Sequence, residues 1–271
     1  MDFLKKLKDN IAKNNSLLCI GLDTDIEKLP PHIKSQPEPI FTFNKIIIDS
    51  TQNIVCCYKI NIAFYLAFGT EGLMQLKKTI DYIHNQYTNI PVILDAKWSD
   101  IGNTTKIYAQ FTFEYLSVDA VTINPYLGSD SIEPFLNYKE KGIIIVCRSS
   151  NPKATDFQNL QINNEPLYIK VAKKVVEWNS IHNNCLIVVG PADLDIKLIR
   201  EIAPNMFFLV PGIGAQGGNL QKTLEYGLTK DKSGLIIHSA RRIIYASSES
   251  DLGEKAQQKA QELRDTINKY R

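Results

Sequence analysis

The sequence predicts a single α/β domain over residues 1–271 that folds as a (β/α)8 TIM barrel with an N-terminal helix. Eight short runs rich in apolar and β-branched residues recur along the whole chain. The runs are continuous rather than alternating, which is typical of strands covered on both faces. Helix-like segments lie between them, as in a repeated strand–helix unit. A doubly wound open sheet is the competing prediction, but no glycine-rich turn follows the first run.

Each predicted element can be assigned in chain order. The strand candidates are "LLCIGL" from 17, "IVCCYKI" from 54, "PVILDA" from 91, "VDAVTI" from 118, "GIIIVC" from 142, "CLIVVG" from 185, "MFFLVP" from 206 and "GLIIH" from 234. The clearest helix candidates are 72–87, 103–116, 166–181 and 251–270. At the N-terminus, Phe3, Leu4, Leu7 and Ile11 make one apolar face of a further helix. The polar stretch 151–165 is too short for a linker and predicts a long loop after the fifth strand.

Composition limits the classes of partner and the compartment. A formal charge of +2 gives no electrostatic reason for nucleic acid or an acidic membrane to be the main partner. No window approaches the apolar length that spans a bilayer, and the charged N-terminal segment does not resemble a signal peptide. The cysteines lie in apolar runs, are odd in number and lack metal-type spacing, which predicts reduced core residues in a cytoplasmic protein. They are Cys19, Cys56, Cys57, Cys147 and Cys185.

Polar and charged residues concentrate where the predicted strands end. In parallel barrels this rim, with the loops that follow it, carries the chemistry. The rim candidates are Asp23, Lys59, Asn61, Asp95, Lys97, Asp100, Asn124, Ser149, Ser150, Pro211, Gln216 and Arg241. His238 also ends a strand, and we interpret it as a satisfied, partly buried histidine rather than a base or metal ligand.

Two groups of these residues suggest specific chemistry. Asp95 and Lys97 are two residues apart on one strand, so both can point into the barrel mouth. A lysine flanked by carboxylates suits a general acid, although a structural ion pair at the rim is an equally good explanation of this pair alone. The glycine-rich segment 211–219 and Arg241 follow the seventh and eighth strands, where barrels often bind phosphate. A flexible turn with a surface arginine is the alternative.

Together these residues resemble the orotidine 5′-phosphate decarboxylase family, in its longer-chain form and along essentially the whole sequence. The blocks that carry the resemblance are "GLD" at 21–23, "KIN" at 59–61, "DAKWSDIGNT" at 95–104, "NPYLGSDSIEPF" at 124–135, "CRSSNP" at 147–152, "PGIGAQGG" at 211–218 and "SARRIIYA" at 239–246. The D-x-K-x-x-D core after a third strand is the most specific of them. The resemblance implies a homodimer of (β/α)8 barrels that converts a phosphorylated nucleotide to UMP without metal or cofactor, with active sites shared across the interface.

The resemblance also implies a role for each rim residue. Lys97 would donate the proton and Asp95 would face the substrate carboxylate, while Asp100, Ile101 and Thr104 would reach the partner subunit's site. The remaining residues would bind substrate: Asp23, Lys59 and Asn61 at the ribose, Ser150 and its neighbour Ser149 at the pyrimidine, Gln216 and Arg241 at the phosphate, with Asn124 and Pro211 as further contacts.

The chain departs from the family pattern at a few positions, and two other functions compete. The departures are Trp98 and Ser99 within the core motif, Lys153 after "NP", and Ala240 and Arg242 beside the arginine. A magnesium-dependent sugar-phosphate decarboxylase of the same superfamily would carry an acid where this chain has Lys59, and a lysine there opposes a divalent cation. A catalytically silent phosphate-binding barrel would have lost Lys97 or a flanking acid.

Overall fold

Eight parallel strands form the centre of the molecule. The computed structural model describes residues 2–191, 193–212 and 219–271. The barrel strands are β1 (Leu18–Gly21), β2 (Cys57–Asn61), β3 (Val92–Trp98), β4 (Ala120–Ile123), β5 (Gly142–Arg148), β8 (Cys185–Val189), β9 (Phe208–Val210) and β10 (Leu235–Ser239). They close in the order β1-β10-β9-β8-β5-β4-β3-β2, and β1 pairs with both β2 and β10. The predicted barrel is therefore confirmed and the open doubly wound sheet is wrong.

Helices surround the barrel and connect its strands. They are α1 (Phe3–Asn14), α2 (Pro31–Lys34), α3 (Pro39–Thr51), α4 (Ala63–Leu66), α5 (Gly69–Gln86), α6 (Gly102–Gln110), α7 (Glu133–Leu136), α8 (Leu167–His182), α9 (Asp193–Ile202), α10 (Leu220–Gly227), α11 (Arg241–Ile244) and α12 (Leu252–Asn268). Among the described residues, no helix is both long and apolar enough to cross a bilayer.

The N-terminal helix α1 covers the end of the barrel at which the strands begin. Its predicted apolar face is confirmed, because Phe3, Leu7 and Ile11 are buried and Leu4 packs against the same core. The Phe3 ring lies so close to Gly142 at the start of β5 that a Cβ there would come within 2.3 Å of it. The helix starts where the Asp2 carboxylate accepts a hydrogen bond from the Lys5 amide at 3.0 Å.

Two segments differ from the sequence prediction. The stretch 151–165, predicted to be a loop, contains a 3-10 helix (Pro152–Asp156) and most of a small antiparallel pair, β6 (Gln161–Ile162) with β7 (Glu165–Pro166). The predicted helix over 103–116 exists, but it changes at its end from α6 into a π-helical turn, Phe111–Tyr115. Strands of two residues are too short to show an alternating pattern, and a π turn has no sequence signature.

The core follows from the continuous apolar runs. Every residue of β1, β4, β8, β9 and β10 is buried, as expected for strands enclosed by side chains inside the barrel and by helices outside it. All five cysteines are free and buried, in agreement with the prediction of core residues.

Candidate active site

The centre of the rim is a buried ion pair between neighbouring strands. Lys59 on β2 and Asp95 on β3 bring Nζ and Oδ2 to 2.9 Å, and the Lys59 side chain is only 3% exposed. The Lys59 Nζ also lies 3.6 Å from Oδ1 of Asp23, which follows β1. Three consecutive strands therefore place one cation between two carboxylates.

Lys97 adds a second cation on the solvent side of Asp95. Its Nζ donates to Asp95 Oδ1 at 2.6 Å, and its side chain is 51% exposed toward the barrel mouth. Thr122 on β4 donates its hydroxyl to the same Oδ1 at 2.8 Å and accepts the Lys97 amide at 3.0 Å. Sequence reasoning missed Thr122, because a threonine inside an apolar strand looks like an ordinary β-former.

The charges of this array stabilise one another. Burial opposes the carboxylate of Asp95, but Lys59 and Lys97 outweigh it and hold the pKa of Asp95 well below its usual range. Burial likewise opposes the ammonium of Lys59, yet Asp95 and Asp23 raise the pKa of Lys59 above its ordinary value. Both groups are therefore charged at neutral pH.

The backbone that presents Lys97 is irregular. The register between β3 and β4 shifts between Leu94 and Trp98, and Lys97 has a φ of +50°. Asp95 and Lys97 lie together at the mouth, as expected of two residues that point into it, but the regular strand alternation on which that expectation depended is absent. A bulge and a left-handed backbone at a non-glycine residue bring them together, a geometry that costs on the order of 1–3 kcal/mol and concentrates at functional sites.

Two buried polar atoms beside the array have no hydrogen-bond partner within the described part of the chain, although one of them belongs to the ion pair with Lys59 at 3.6 Å. They are Asp23 Oδ1 and His238 Nε2. The His238 ring lies over Gly21, where an added Cβ would come within 2.3 Å of Nε2. The interpretation of His238 as a satisfied histidine is therefore wrong, because the residue is buried with 8% exposure and Nε2 has no hydrogen-bond partner among the described residues. Burial and the neighbouring Lys59 lower the pKa of His238 to about 3, so the ring is neutral.

Two predicted asparagines accept hydrogen bonds from backbone amides two residues further along and lie outside the array. The Asn61 side chain accepts the Ala63 amide at 3.1 Å just before α4. The Asn124 side chain accepts the Tyr126 amide at 3.2 Å at the start of a 3-10 turn. Asn61 is the register partner of Asp95, whereas Asn124 is exposed after β4.

The residues after β3 form no side-chain bond to the array within the described part of the chain. The Asp100 carboxylate accepts the Ile101 amide at 2.8 Å and forms no ion pair with any described residue of the chain. Ile101 is 56% exposed, and Thr104 at the start of α6 is exposed as well.

Trp98 connects this segment to α6. Its ring stacks on Tyr108 at 4.4 Å between centroids, and its indole N–H donates to Thr112 Oγ1 at 2.9 Å in the π turn. The prediction that Trp98 packs rather than stacks on substrate agrees with this arrangement. Nothing in the structure explains Ser99.

The loop after β5 presents two serines. The Ser149 hydroxyl donates to Asn151 Oδ1 at 2.7 Å and accepts from Gln158 Nε2 at 2.8 Å. The Ser150 hydroxyl makes no hydrogen bond to the parts of the chain that the structure describes. Lys153 is exposed on the 3-10 helix that follows.

The expected phosphate site is only partly described. Pro211 follows β9 and is half-buried, whereas Gln216 lies outside the described residues. Arg241 begins α11 directly after β10 and is exposed, and its guanidinium is unpaired within the described ranges. Ala240 and Arg242, the departures beside it, form no bond to this guanidinium among the described residues.

The donor set offers little to a metal ion. In residues 2–191, 193–212 and 219–271, no group of three or more histidine, cysteine or acidic side chains is arranged to hold one. The rim carboxylates Asp23 and Asp95 are already paired with Lys59.

The fold and the site define a TIM-barrel enzyme with a lysine–carboxylate array at its C-terminal rim. Comparison with known proteins agrees. The model of the orotidine 5′-phosphate decarboxylase / HUMPS family matches residues 16–256. A Cellvibrio japonicus protein named orotidine 5′-phosphate decarboxylase is 50% identical over 99% of this chain and 98% of its own length. One of the same name from Christiangramia forsetii is 45% identical over 97% and 96%.

Solved structures give the same relationship. The structure of Leishmania donovani OMP decarboxylase superposes with a TM-score of 0.87 at 34% identity, over 100% of this chain and 99% of that one. The chain belongs to the orotidine 5′-phosphate decarboxylase / HUMPS family.

Proposed function

We propose that the chain decarboxylates orotidine 5′-phosphate to UMP, the last step of de novo pyrimidine synthesis, without a metal or cofactor. The observation that carries the proposal is the Lys59–Asp95–Lys97 array at the barrel mouth, in a chain whose curated relatives bear that enzyme's name over nearly its full length.

Lys97 is the proposed proton donor. When the bond between ring carbon six and the carboxylate breaks, carbon dioxide leaves and the electron pair stays on carbon six, with no neighbouring group to delocalise it. The Lys97 ammonium, fixed 2.6 Å from Asp95 and open to the mouth, can stabilise this charge and then transfer its proton to carbon six. Water in the open mouth then returns a proton to the amine.

Asp95 has a smaller role in this scheme. If Asp95 lies beside the substrate carboxylate, the two negative charges repel each other by roughly 4 kcal/mol at a separation of ~4 Å and an effective dielectric of ~20. Lys59 at 2.9 Å and Lys97 at 2.6 Å cancel part of that repulsion. Preorganised stabilisation of the carbanion by Lys97, supported by binding energy from the distant phosphate, therefore contributes more to lowering the barrier.

The remaining rim residues would bind the nucleotide. Asp23 Oδ1, which is buried and accepts no hydrogen bond from the described residues, suits a ribose hydroxyl as donor, with Lys59 and Asn61 beside it. Ser150 would bond the pyrimidine. The phosphate would lie between Gln216 and the guanidinium of Arg241, a fork that matches phosphate oxygens. Asn124 and Pro211 remain proposed contacts at the edge of the site.

Lys59 also supports metal-free chemistry. Its buried ammonium occupies the position between Asp23 and Asp95 where a divalent cation would otherwise find two carboxylates. A magnesium-dependent relative would need an acid in its place. Turnover should therefore persist in excess chelator, and loss of turnover there would favour the metal-dependent reaction.

We propose that the active molecule is a cytoplasmic homodimer with shared sites. Asp100 has no ion-pair partner in the described part of its own chain, which suits a carboxylate that serves a neighbouring subunit. Exposed large apolar side chains follow β3 and β4, as expected for an interface. They are Ile101, Ile107, Tyr126 and Leu127. The buried free cysteines fit a reducing compartment.

The central experiment compares wild type with Lys97→Ala in an ultraviolet assay of orotidine 5′-phosphate loss. We expect turnover to fall by at least about 10⁴-fold, since both proton transfer and charge stabilisation are lost, while UMP still binds. Lys8→Ala, which removes an exposed lysine at the opposite end of the barrel, is the control and should keep wild-type turnover. Unchanged turnover in Lys97→Ala would refute the mechanism.

A further inference from the structure

Gln158 has no role in the proposed function so far, and it is held in place next to the substrate-facing loop that follows β5. It follows the 3-10 helix Pro152–Asp156. Its amide donates to the Ala154 carbonyl at 2.9 Å, and its carbonyl accepts the Tyr168 amide at 3.0 Å near the start of α8. The main chain on both sides of the side chain is therefore held in place.

The Gln158 side-chain amide joins Arg148 to Ser149. Its Oε1 accepts the Ser149 amide at 2.9 Å and Arg148 Nη1 at 3.2 Å. Its Nε2 donates to the Ser149 hydroxyl at 2.8 Å. Two donors face the oxygen and one acceptor faces the nitrogen, so only one orientation of the amide satisfies all three groups.

This amide is anchored to the scaffold through an ion pair. Arg148 Nε donates to Asp195 Oδ2 on α9 at 2.7 Å, and Tyr168 donates its hydroxyl to the other oxygen of Asp195 at 3.1 Å. Burial and the adjacent Asp195 carboxylate raise the pKa of Tyr168 to about 12, so its hydroxyl remains a donor at neutral pH. The position of Gln158 is therefore set by α8 and α9 rather than by the loop alone.

The network distinguishes the two serines. The Ser149 hydroxyl accepts from Gln158 and gives its only proton to Asn151, so it is already committed. Its neighbour Ser150 has a hydroxyl that is free of bonds to the described residues. The backbone of both is pressed against Gly190 at the end of β8, where an added Cβ would lie 2.9 Å from the Ser150 Cα.

We infer that Gln158 is a positioning residue for recognition of the pyrimidine ring: by holding Ser149 inside the loop, it presents Ser150 to the base of the substrate. The inference rests on the proposed function and deepens it. Gln158 itself touches no substrate and acts through the two serines.

The test uses Gln158→Met, which keeps the length of the side chain and removes all three hydrogen bonds. Dissociation constants for UMP and ribose 5-phosphate are measured by calorimetry, alongside KM and kcat for orotidine 5′-phosphate. We expect UMP binding to weaken about tenfold, as for the loss of about one hydrogen bond, and KM to rise more than kcat falls. Ribose 5-phosphate, which has no base, should bind as it does to wild type. An equal loss for both ligands, or no loss, would overturn the inference.

Three further variants sharpen the test. Gln161→Met makes the same chemical change three residues along, at an exposed site where Nε2 donates to the Asn159 carbonyl. This variant should bind UMP and ribose 5-phosphate as wild type does. Gln158→Glu keeps the acceptor for Arg148 and the Ser149 amide and should recover most UMP affinity. Adding Ser149→Ala to Gln158→Met should cause no further loss, because the two residues act as one unit. Additive losses would contradict this.

The binding readout separates this inference from the proposed function. If wild type turns over orotidine 5′-phosphate and Gln158→Met binds UMP normally, only the positioning role fails. If wild type binds UMP without decarboxylating the substrate, the proposed function fails, and the difference between UMP and ribose 5-phosphate still tests Gln158.

Discussion

Lys59 illustrates how a single buried charge depends on its neighbours. Its side chain is 3% exposed and pairs with Asp95 at 2.9 Å. Taking an ammonium out of water is costly, and here the two carboxylates around it compensate. When the lysine is removed, the two carboxylates lose the positive charge that offsets the cost of their own burial.

We therefore predict that Lys59→Met lowers the free energy of unfolding by about 3 kcal/mol, because it leaves Asp23 and Asp95 buried with less counter-charge. Urea denaturation at pH 7 measures the change. The control is Lys45→Met, which breaks a Lys–Asp pair with Asp49 at 2.6 Å on the outside of α3. That largely exposed pair should contribute less than about 1 kcal/mol. Equal losses in the two variants would show that burial does not set the energy of the Lys59 pair.

His238 gives a second residue-scale prediction, on pH. Its pKa is lowered to about 3 in the folded chain, against about 6.5 unfolded. As pH falls below 6.5, the unfolded chain binds a proton at this histidine and the folded chain does not. The free energy of unfolding therefore decreases by up to about 1.4 kcal/mol per pH unit. Between pH 7 and 5, wild type should lose about 2 kcal/mol more than His238→Asn.

Denaturant titrations at the two pH values provide that comparison. His32→Asn, which removes an exposed histidine, should retain the wild-type pH dependence. A His238→Asn variant that loses as much stability as wild type would mean that the buried ring is protonated in the folded state.

At the residue scale the sequence predicted charges better than neutral polar groups. Asp95, Lys59 and Lys97 could be found because full charges at strand ends are conspicuous. Thr122 and Gln158 could not, because a threonine in a strand and a glutamine in a polar loop have no distinctive pattern. Their partners become known only when strands and loops are brought together in space.

At the element scale, the Asp119 carboxylate forms the ion pair that links α1 to the barrel. Asp119, just before β4, accepts Lys6 Nζ at 2.9 Å, the Val92 amide at 2.8 Å and His84 Nε2 at 3.0 Å. Three elements, α1, α5 and β3, thus meet at one buried acid. Burial opposes its charge, but the hydrogen bond from His84 and the charge of Lys6 lower the pKa of Asp119 below its usual value.

We predict that Asp119→Asn destabilises the protein by about 3 kcal/mol at pH 7, since Lys6 loses its buried counter-charge. The depressed pKa means that the stabilisation is complete above the unfolded value of about 3.9 and is lost as pH falls below it. In denaturation experiments, the difference in the free energy of unfolding between wild type and Asp119→Asn should therefore decrease toward pH 3.

The control for this prediction lies on the same helix. Asp9→Asn removes an exposed i,i+4 partner of Lys5 on α1 and should cost less than about 1 kcal/mol. If the difference in the free energy of unfolding between wild type and Asp119→Asn stays constant with pH, the stabilisation by Asp119 does not come from its charge.

The sequence predicted the elements where the pattern extends over several turns. Helical periodicity indicates the apolar face of α1 and continuous apolar runs indicate the eight strands, yet Lys6 gives no indication that it reaches Asp119, 113 positions away. Similarly, Trp98 seemed out of place within its motif until its stacking on Tyr108 joined β3 to α6. Long-range partners of this kind depend on topology, which local patterns do not encode.

On the scale of the whole molecule, barrel closure brings the ends of β1, β2, β3 and β4 together. Asp23, Lys59, Asp95 and Thr122 are far apart in sequence and meet at one rim because their strands are adjacent and parallel. Counting eight strand–helix units was sufficient to predict this geometry. No comparable count predicts which face meets a second subunit.

Mixing two inactive variants tests whether the site is shared. Asp100→Ala and Lys97→Ala chains should each be inactive as homodimers. If Asp100 serves the neighbouring site, a mixed dimer has one site with both residues and one with neither. Random exchange at equal amounts in a two-fold dimer then restores about one quarter of wild-type turnover. The recovered turnover is measured after the mixture has been denatured and refolded. The control is a mixture of Lys97→Ala with Asp95→Ala. It should remain inactive, because every site lacks one of the two residues if Asp95 and Lys97 act within one chain. No recovery, with mixed dimers shown by mass spectrometry, would mean that Asp100 acts within its own chain.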